Sequence, residues 1–136
     1  MVKLIMAVTG SGKTKNIIDL VNEAAAQEPG SIVCIAKGTK LNFDISHKAR
    51  LINVQDYAVS DYASLLGFVA GIHAGNYDIT KIFIDSLYKV ARDDKPEDAD
   101  QFILALDEFS SKHNVDFTIA VSAEAESASD VMKKYL

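Results

Sequence analysis

Short apolar runs alternate along this chain with longer stretches whose apolar positions recur every three or four residues. Lys3-Leu4-Ile5-Met6-Ala7-Val8 is the first run, and it predicts a strand. A helical pattern follows from near Lys13, with Ile17, Ile18, Val21, Ala24 and Ala25 on one face and Lys15, Asp19, Asn22 and Glu23 off it. Pro29-Gly30 stops it. Ile32 to Ala36 is apolar throughout, as expected of a strand covered on both faces. Leu51 to Val54 is a short third strand, and Lys81 to Asp85 a fourth. Between them Ser60 is placed to cap a helix that runs to about Ala74, with Gly75 as its stop. Asp94-Lys95-Pro96-Glu97 opens another helix, carrying Phe102, Leu104, Ala105, Leu106 and Phe109 to an end near Asn114. Phe117 to Val121 is the fifth strand, and a short helix from about Ala128 to Tyr135 closes the chain. Strands separated by helices predict right-handed crossovers, a five-stranded parallel sheet and helices on both faces. In such a sheet ligands sit beyond the carboxyl ends of the strands, and the chemistry is expected there.

Composition narrows the class. With 136 residues the chain is expected to form one domain spanning 1–136. Hydrophobic residues at 49% and charged residues at 24% exclude a disordered or low-complexity chain. The single cysteine, Cys34, allows no internal disulfide and no zinc cluster of several thiolates, and it fits a reducing compartment. The formal net charge of −5 gives no indication of nucleic-acid binding. No apolar run approaches the ~20 residues that cross a bilayer, and Val2 to Val8 is too short for a signal peptide, so a cytoplasmic protein without membrane contact is expected.

The most specific string is Ala7-Val8-Thr9-Gly10-Ser11-Gly12-Lys13-Thr14. It fits the P-loop pattern, with Ala7 in place of the first glycine. Gly10 and Gly12 let the backbone turn its N–H groups inward and keep a Cβ away from the phosphates. The helix opening near Lys13 adds its positive dipole end. Lys13 offers an ammonium to the β- and γ-phosphates, and Thr14 a hydroxyl to Mg²⁺. Thr9, Gly10, Ser11, Gly12, Lys13, Thr14 and Lys15 are therefore the expected nucleotide-binding stretch. Lys81-Ile82-Phe83-Ile84-Asp85 resembles a Walker B strand, whose aspartate reaches the water shell of the Mg²⁺ held by Thr14.

With these residues in place, the chain resembles a minimal P-loop NTPase core of the RecA-like branch, and more distantly a thymidine-kinase-like core. The stretch Asp78 to Leu87, a helix, and then Val115 to Ser122 carry the likeness beyond the phosphate loop. The resemblance implies a three-layer α/β/α fold with sheet order 3-2-4-5-1. It also implies ATP and Mg²⁺ as ligands, Lys13 and Thr14 as phosphate and metal contacts, Asp85 as the Walker B acid, and Ser122 as a polar sensor of the γ-phosphate. The chain departs from the branch where a catalytic glutamate is usual: those positions read Ser86 and Lys37-Gly38. Asp56 and Glu124 are the carboxylates placed to substitute. A general base supplies ~10²–10⁴-fold in rate, so hydrolysis is expected to be slow or completed by a partner.

Other branches fit less well. There is no Asn-Lys-x-Asp string for guanine, so adenine is favoured. With Arg50 and Arg92 as its only arginines, the chain lacks the clamp of a nucleoside monophosphate kinase, and one cysteine cannot build the zinc lasso of thymidine kinases. The expected function is a Mg·ATP-binding protein with weak or partner-dependent hydrolysis. The alternatives are a non-hydrolysing, nucleotide-dependent interaction module and a small-molecule phosphotransferase.

Weaker signals remain. Lys37, Lys40, Lys48 and Arg50 cluster between the second and third strands and are read as a solvated loop rather than a nucleic-acid edge. Arg92 is a candidate arginine finger toward a neighbouring copy or protein partner, or simply part of a surface loop. Tyr57, Tyr62 and Tyr88 are candidates to stack on a base, though core-boundary packing is the plainer reading. His47, His73 and His113 show no metal-like spacing, and Cys34 is expected to be a small buried hydrophobe.

Overall fold

The computed structural model describes Met1 to Leu136 except Thr9 and Ser11, and the backbone alone of Lys13. Five strands and five helices follow one another as β1 (Val2–Met6), α1 (Lys13–Gln27), β2 (Ser31–Ala36), β3 (Ala49–Asn53), α2 (Tyr62–Gly75), β4 (Ile79–Ile84), α3 (Leu87–Ala91), α4 (Pro96–His113), β5 (Asp116–Val121) and α5 (Asp130–Lys133). Single 3₁₀ turns occupy Val54–Asp56 and Ala125–Ser127.

Every strand pairs in parallel, in the order β1-β5-β4-β2-β3, which is 3-2-4-5-1 counted from the other edge. β5 thus lies between β1 and β4, with Met6 beside Val121 and Ile84 beside Ile119. Two apolar clusters cover the two faces. α1 lays Ile17, Val21 and Ala24 on Cys34, Ala36, Phe83 and Ala120. The opposite face carries α2, α3, α4 and α5, whose Leu65, Leu87, Ile103, Leu106 and Met132 bury Val33, Ile35, Ile82, Ile84 and Ile119. A central strand buried on both faces must be apolar at every position, and β2 is, from Ile32 to Ala36.

The element ends show which local forces prevail. The α2 cap is Asp61, not Ser60. The Asp61 carboxylate accepts the Ser64 N–H at 2.8 Å, and Ser64 Oγ accepts the N–H of Asp61 at 3.0 Å and of Ser60 at 2.9 Å. This reciprocal box satisfies more of the helix's free donors than one serine could. β3 starts earlier than expected and ends at Asn53, because the Asn53 side chain accepts the Gln55 N–H and turns the chain into the 3₁₀ turn. α5 keeps only Asp130–Lys133 of the expected helix. α3 is an element that periodicity did not predict, being too short to show a repeat.

The β1 edge is covered by the chain's own end. Leu4 N–H donates to the Tyr135 carbonyl at 2.8 Å, and Tyr135 Oη donates to Asp107 on α4 at 2.8 Å. An exposed edge invites pairing with other chains, and this strap blocks it. Among the described residues no helix is long and apolar enough to cross a membrane.

Two outcomes follow from this packing. A Cβ on Gly30 would collide with the Thr80 side chain and stand 2.6 Å from the Asp78 carbonyl. Gly30→Ala should therefore lower stability by about 1–3 kcal/mol in urea unfolding, and an unchanged midpoint would contradict the close approach. Cys34 is fully buried, and burial first, then the nearby Asp85 carboxylate, push its thiol up to about 12. At pH 8 a thiol reagent should label the native chain at least about 100-fold more slowly than the urea-unfolded chain.

Candidate functional site

Parallel pairing points the carboxyl ends of all five strands the same way, and the loops leaving them meet the start of α1. Ala7 keeps the β1 ladder for one more bond, its N–H donating to Val121 at 3.2 Å, before the chain leaves the sheet. Gly10 and Gly12 then both take φ near +89°, a region that L side chains avoid. A Cβ at either would meet nothing within 4 Å. The glycines are thus demanded by backbone conformation, and the space before them is open.

α1 begins against its own dipole. Its first residues are Lys13-Thr14-Lys15, its first turn holds no acidic residue, and no side chain caps it. Lysines in the first turn add positive charge to the positive end of the helix, an arrangement that an anion would relieve.

The open space is a cavity of about 360 Å³. Gly10, Gly12 and Thr14 line it, as do Asp85 and Ser122, which follow β4 and β5. Lys37, Lys40 and Lys89 lie around the rest of it, together with Ser86. Three residues far apart in sequence and expected to act together, Thr14, Asp85 and Ser122, thus line one cavity. Gly10 and Gly12 join them, while Lys15 is exposed on α1 and is not among the lining residues. Thr9, Ser11 and the Lys13 side chain lie outside the described residues.

Asp85 and Ser86 are positioned by the sheet and by strain. Asp85 N–H donates to the Ile35 carbonyl at 2.9 Å, extending the β4–β2 ladder past the last strand residue. Ser86 is left-handed at φ 59°, and its carbonyl accepts the N–H groups of Lys89 and Val90 to start α3. A non-glycine residue in that region costs about 1–2 kcal/mol, and this one lines the cavity. α3 is held by Leu87, Val90 and Ala91, all fully buried, and this leaves Lys89 on its exposed side.

The segment after β2 is pinned as well. Gly38 turns at φ 97°, and its N–H donates to Asn53 Oδ1 at 2.7 Å. Leu41 is buried under α1, and Asn22 of α1 donates to the Asp44 carbonyl at 2.8 Å and accepts the Ser46 N–H at 2.7 Å.

Several expected residues lie elsewhere. Asp56 and Glu124 are exposed in or beside the 3₁₀ turns and are not among the lining residues, and neither is Arg92, the left-handed cap of α3. The basic cluster divides: Lys37 and Lys40 reach the cavity, whereas Lys48 and Arg50 line a separate groove beside β3 and the end of α2. No tyrosine lines the cavity. Tyr62 stacks on Phe102 and donates to the Asp93 carbonyl at 2.8 Å, Tyr88 packs on the core, and Tyr57 stacks on Phe68. His73 and His113 do meet, with ring centroids 4.6 Å apart, at the ends of α2 and α4. Sequence reasoning missed Lys89, whose only signal was its place three residues after Ser86.

No protein-family model matches the chain, and no curated protein matches it.

Ser86 supplies a test of its own geometry. Ser86→Gly should be at least as stable as the wild type in urea, whereas Ser86→Val, β-branched at a left-handed position, should be less stable than Ser86→Gly by more than about 1 kcal/mol. Equal stability of the two variants would contradict the left-handed backbone.

Proposed function

We propose that this chain is a P-loop NTPase-fold protein of the RecA-like type that binds the triphosphate of a nucleotide together with Mg²⁺. One observation carries the reading: the uncapped, lysine-bearing start of α1 and its two left-handed glycines open onto the same cavity as Thr14, Asp85 and Ser122. Backbone N–H groups and the Lys13 ammonium take the phosphate oxygens. The Thr14 hydroxyl and the Asp85 carboxylate take Mg²⁺, a hard cation that keeps most of its waters and needs few protein ligands. Ser122 lines the same cavity just past the end of β5, and its hydroxyl is assigned to the terminal phosphate. The ion supplies charge neutralisation at the phosphates; the chain's own residues position them. ATP is the expected nucleotide.

Water activation is the weak part of the site. Among the described lining residues Asp85 is the carboxylate and is assigned to the metal, while Ser86 follows it after β4 and Lys37 follows β2. Slow or partner-completed hydrolysis follows. The same arrangement supports a second reading, an ATP-dependent interaction module without turnover, whose partner is a protein or another copy of the chain. Single-turnover assays separate the two: ADP formed over minutes to hours supports the enzyme, and tight binding without ADP supports the module.

Calorimetry with Mg·ATP tests the shared core. Lys13→Ala should weaken binding at least about tenfold, and Asp85→Asn should abolish most of the gain that Mg²⁺ brings. Unchanged affinity in Lys13→Ala would refute the proposal.

A further inference from the structure

Together with the Lys13 ammonium that the proposed reading assigns to the phosphates, Lys37, Lys40 and Lys89 outweigh the Asp85 carboxylate and a Mg·triphosphate by one positive charge. Lys37 and Lys40 come from the segment after β2, and Lys89 comes from α3. None of the three makes an ion pair among the described residues, and all three are exposed. Asp85 is the one carboxylate among the described lining residues, so three ammonium groups around this cavity outnumber the negative side chains there, and an added anion lowers their mutual repulsion. They are also presented on fixed backbone. The Asn53 side chain and buried Leu41 hold the segment carrying Lys37 and Lys40, and three fully buried residues hold α3. The entropy of ordering long loops, which usually makes surface lysines poor ligands, has largely been met by the fold itself.

We infer that this side of the cavity is a second anion subsite, built by Lys37, Lys40 and Lys89, which takes a phosphate group beyond the nucleotide's three. The inference rests on the proposed triphosphate site. The extra phosphate has two sources of the same chemistry, a separate phosphorylated small molecule or a fourth phosphate on the nucleotide. Lysine suits either: its ammonium is a compact point charge with three rotatable donors, and it does not demand the planar, two-pronged geometry that arginine does. The lining offers such a ligand no aromatic ring to stack on.

The full chain, loaded with Mg²⁺ and the β,γ-imido analogue of ATP, is titrated with inorganic phosphate in a calorimeter. One phosphate should bind per loaded chain. Lys37→Ala and Lys89→Ala should each weaken that binding at least about fivefold, while the affinity for the analogue changes less than about threefold. Lys37→Arg should retain most of it. In the second arm, adenosine 5′-tetraphosphate is compared with ATP. At least about tenfold tighter binding of the tetraphosphate, lost in the Lys37→Ala, Lys89→Ala double variant, assigns the subsite to a longer chain. Equal affinities, with free phosphate still binding, assign it to a separate molecule. The inference is overturned if phosphate does not bind the loaded chain and the tetraphosphate is no tighter than ATP. It is also overturned if the lysine variants lower analogue affinity as much as phosphate affinity, for the lysines then serve the triphosphate itself. If the wild type binds no analogue at all, the triphosphate reading fails, and this inference with it.

Discussion

The parallel hydrogen-bonded ladder that sets β5 between β1 and β4 is the constraint on which the candidate site depends. Because all strands run the same way, the residue that leaves each strand at its carboxyl end arrives at one rim of the sheet. The glycine loop after β1, Asp85 after β4 and Ser122 after β5 become neighbours there, although more than a hundred residues of chain separate the first from the last. A single antiparallel strand in this set would send one of them to the far rim.

The two faces of the sheet divide the labour. Four helices bury the larger cluster, which holds Phe117, Ile82 and Leu106 at almost no exposure, and this face supplies most of the apolar burial that stabilises the domain. The other face is covered by α1 and the segment carrying Leu41. The start of α1 is thereby held at the rim, where Gly12 and Thr14 line the cavity. Two features that cost stability lie at this rim: a helix start with lysines and no side-chain cap, and left-handed Ser86. The buried faces beneath offset those costs.

Much of this was legible in the residue pattern. β2 and β4 show as apolar runs because burial on both faces leaves no room for polar alternation, and α1 and α4 show as helices because each covers a sheet with one stripe. The glycine string predicted a tight turn into α1, and Gly10 and Gly12 take φ near +89° there. What escaped the pattern was local in one way or non-local in another. α3 is too short to have a period, and the choice of Asp61 over Ser60 as the α2 cap turned on a reciprocal bond to Ser64 that two adjacent polar residues compete to make. The basic run between β2 and β3 reads as one cluster in sequence but divides, because its two halves flank a pinned segment and lie near opposite ends of the strands. Asp56 and Glu124 follow β3 and β5 as the sequence reading expects, and Arg92 caps α3, yet none of the three is among the lining residues of the cavity.

The amino-acid sequence alone determined the alternation of strands and helices, the glycine-rich turn into α1, and the polar residues at the carboxyl ends of β4 and β5. Each depends on the periodicity or chemistry of near neighbours. Only the tertiary structure decided that Lys37, Lys40 and Lys89 share one cavity with Thr14 and Asp85, and that the tyrosines and the spare carboxylates do not. Those outcomes depend on which strands pair and which loops are pinned, and pairing is settled by the burial of whole faces against one another rather than by any short stretch of chain.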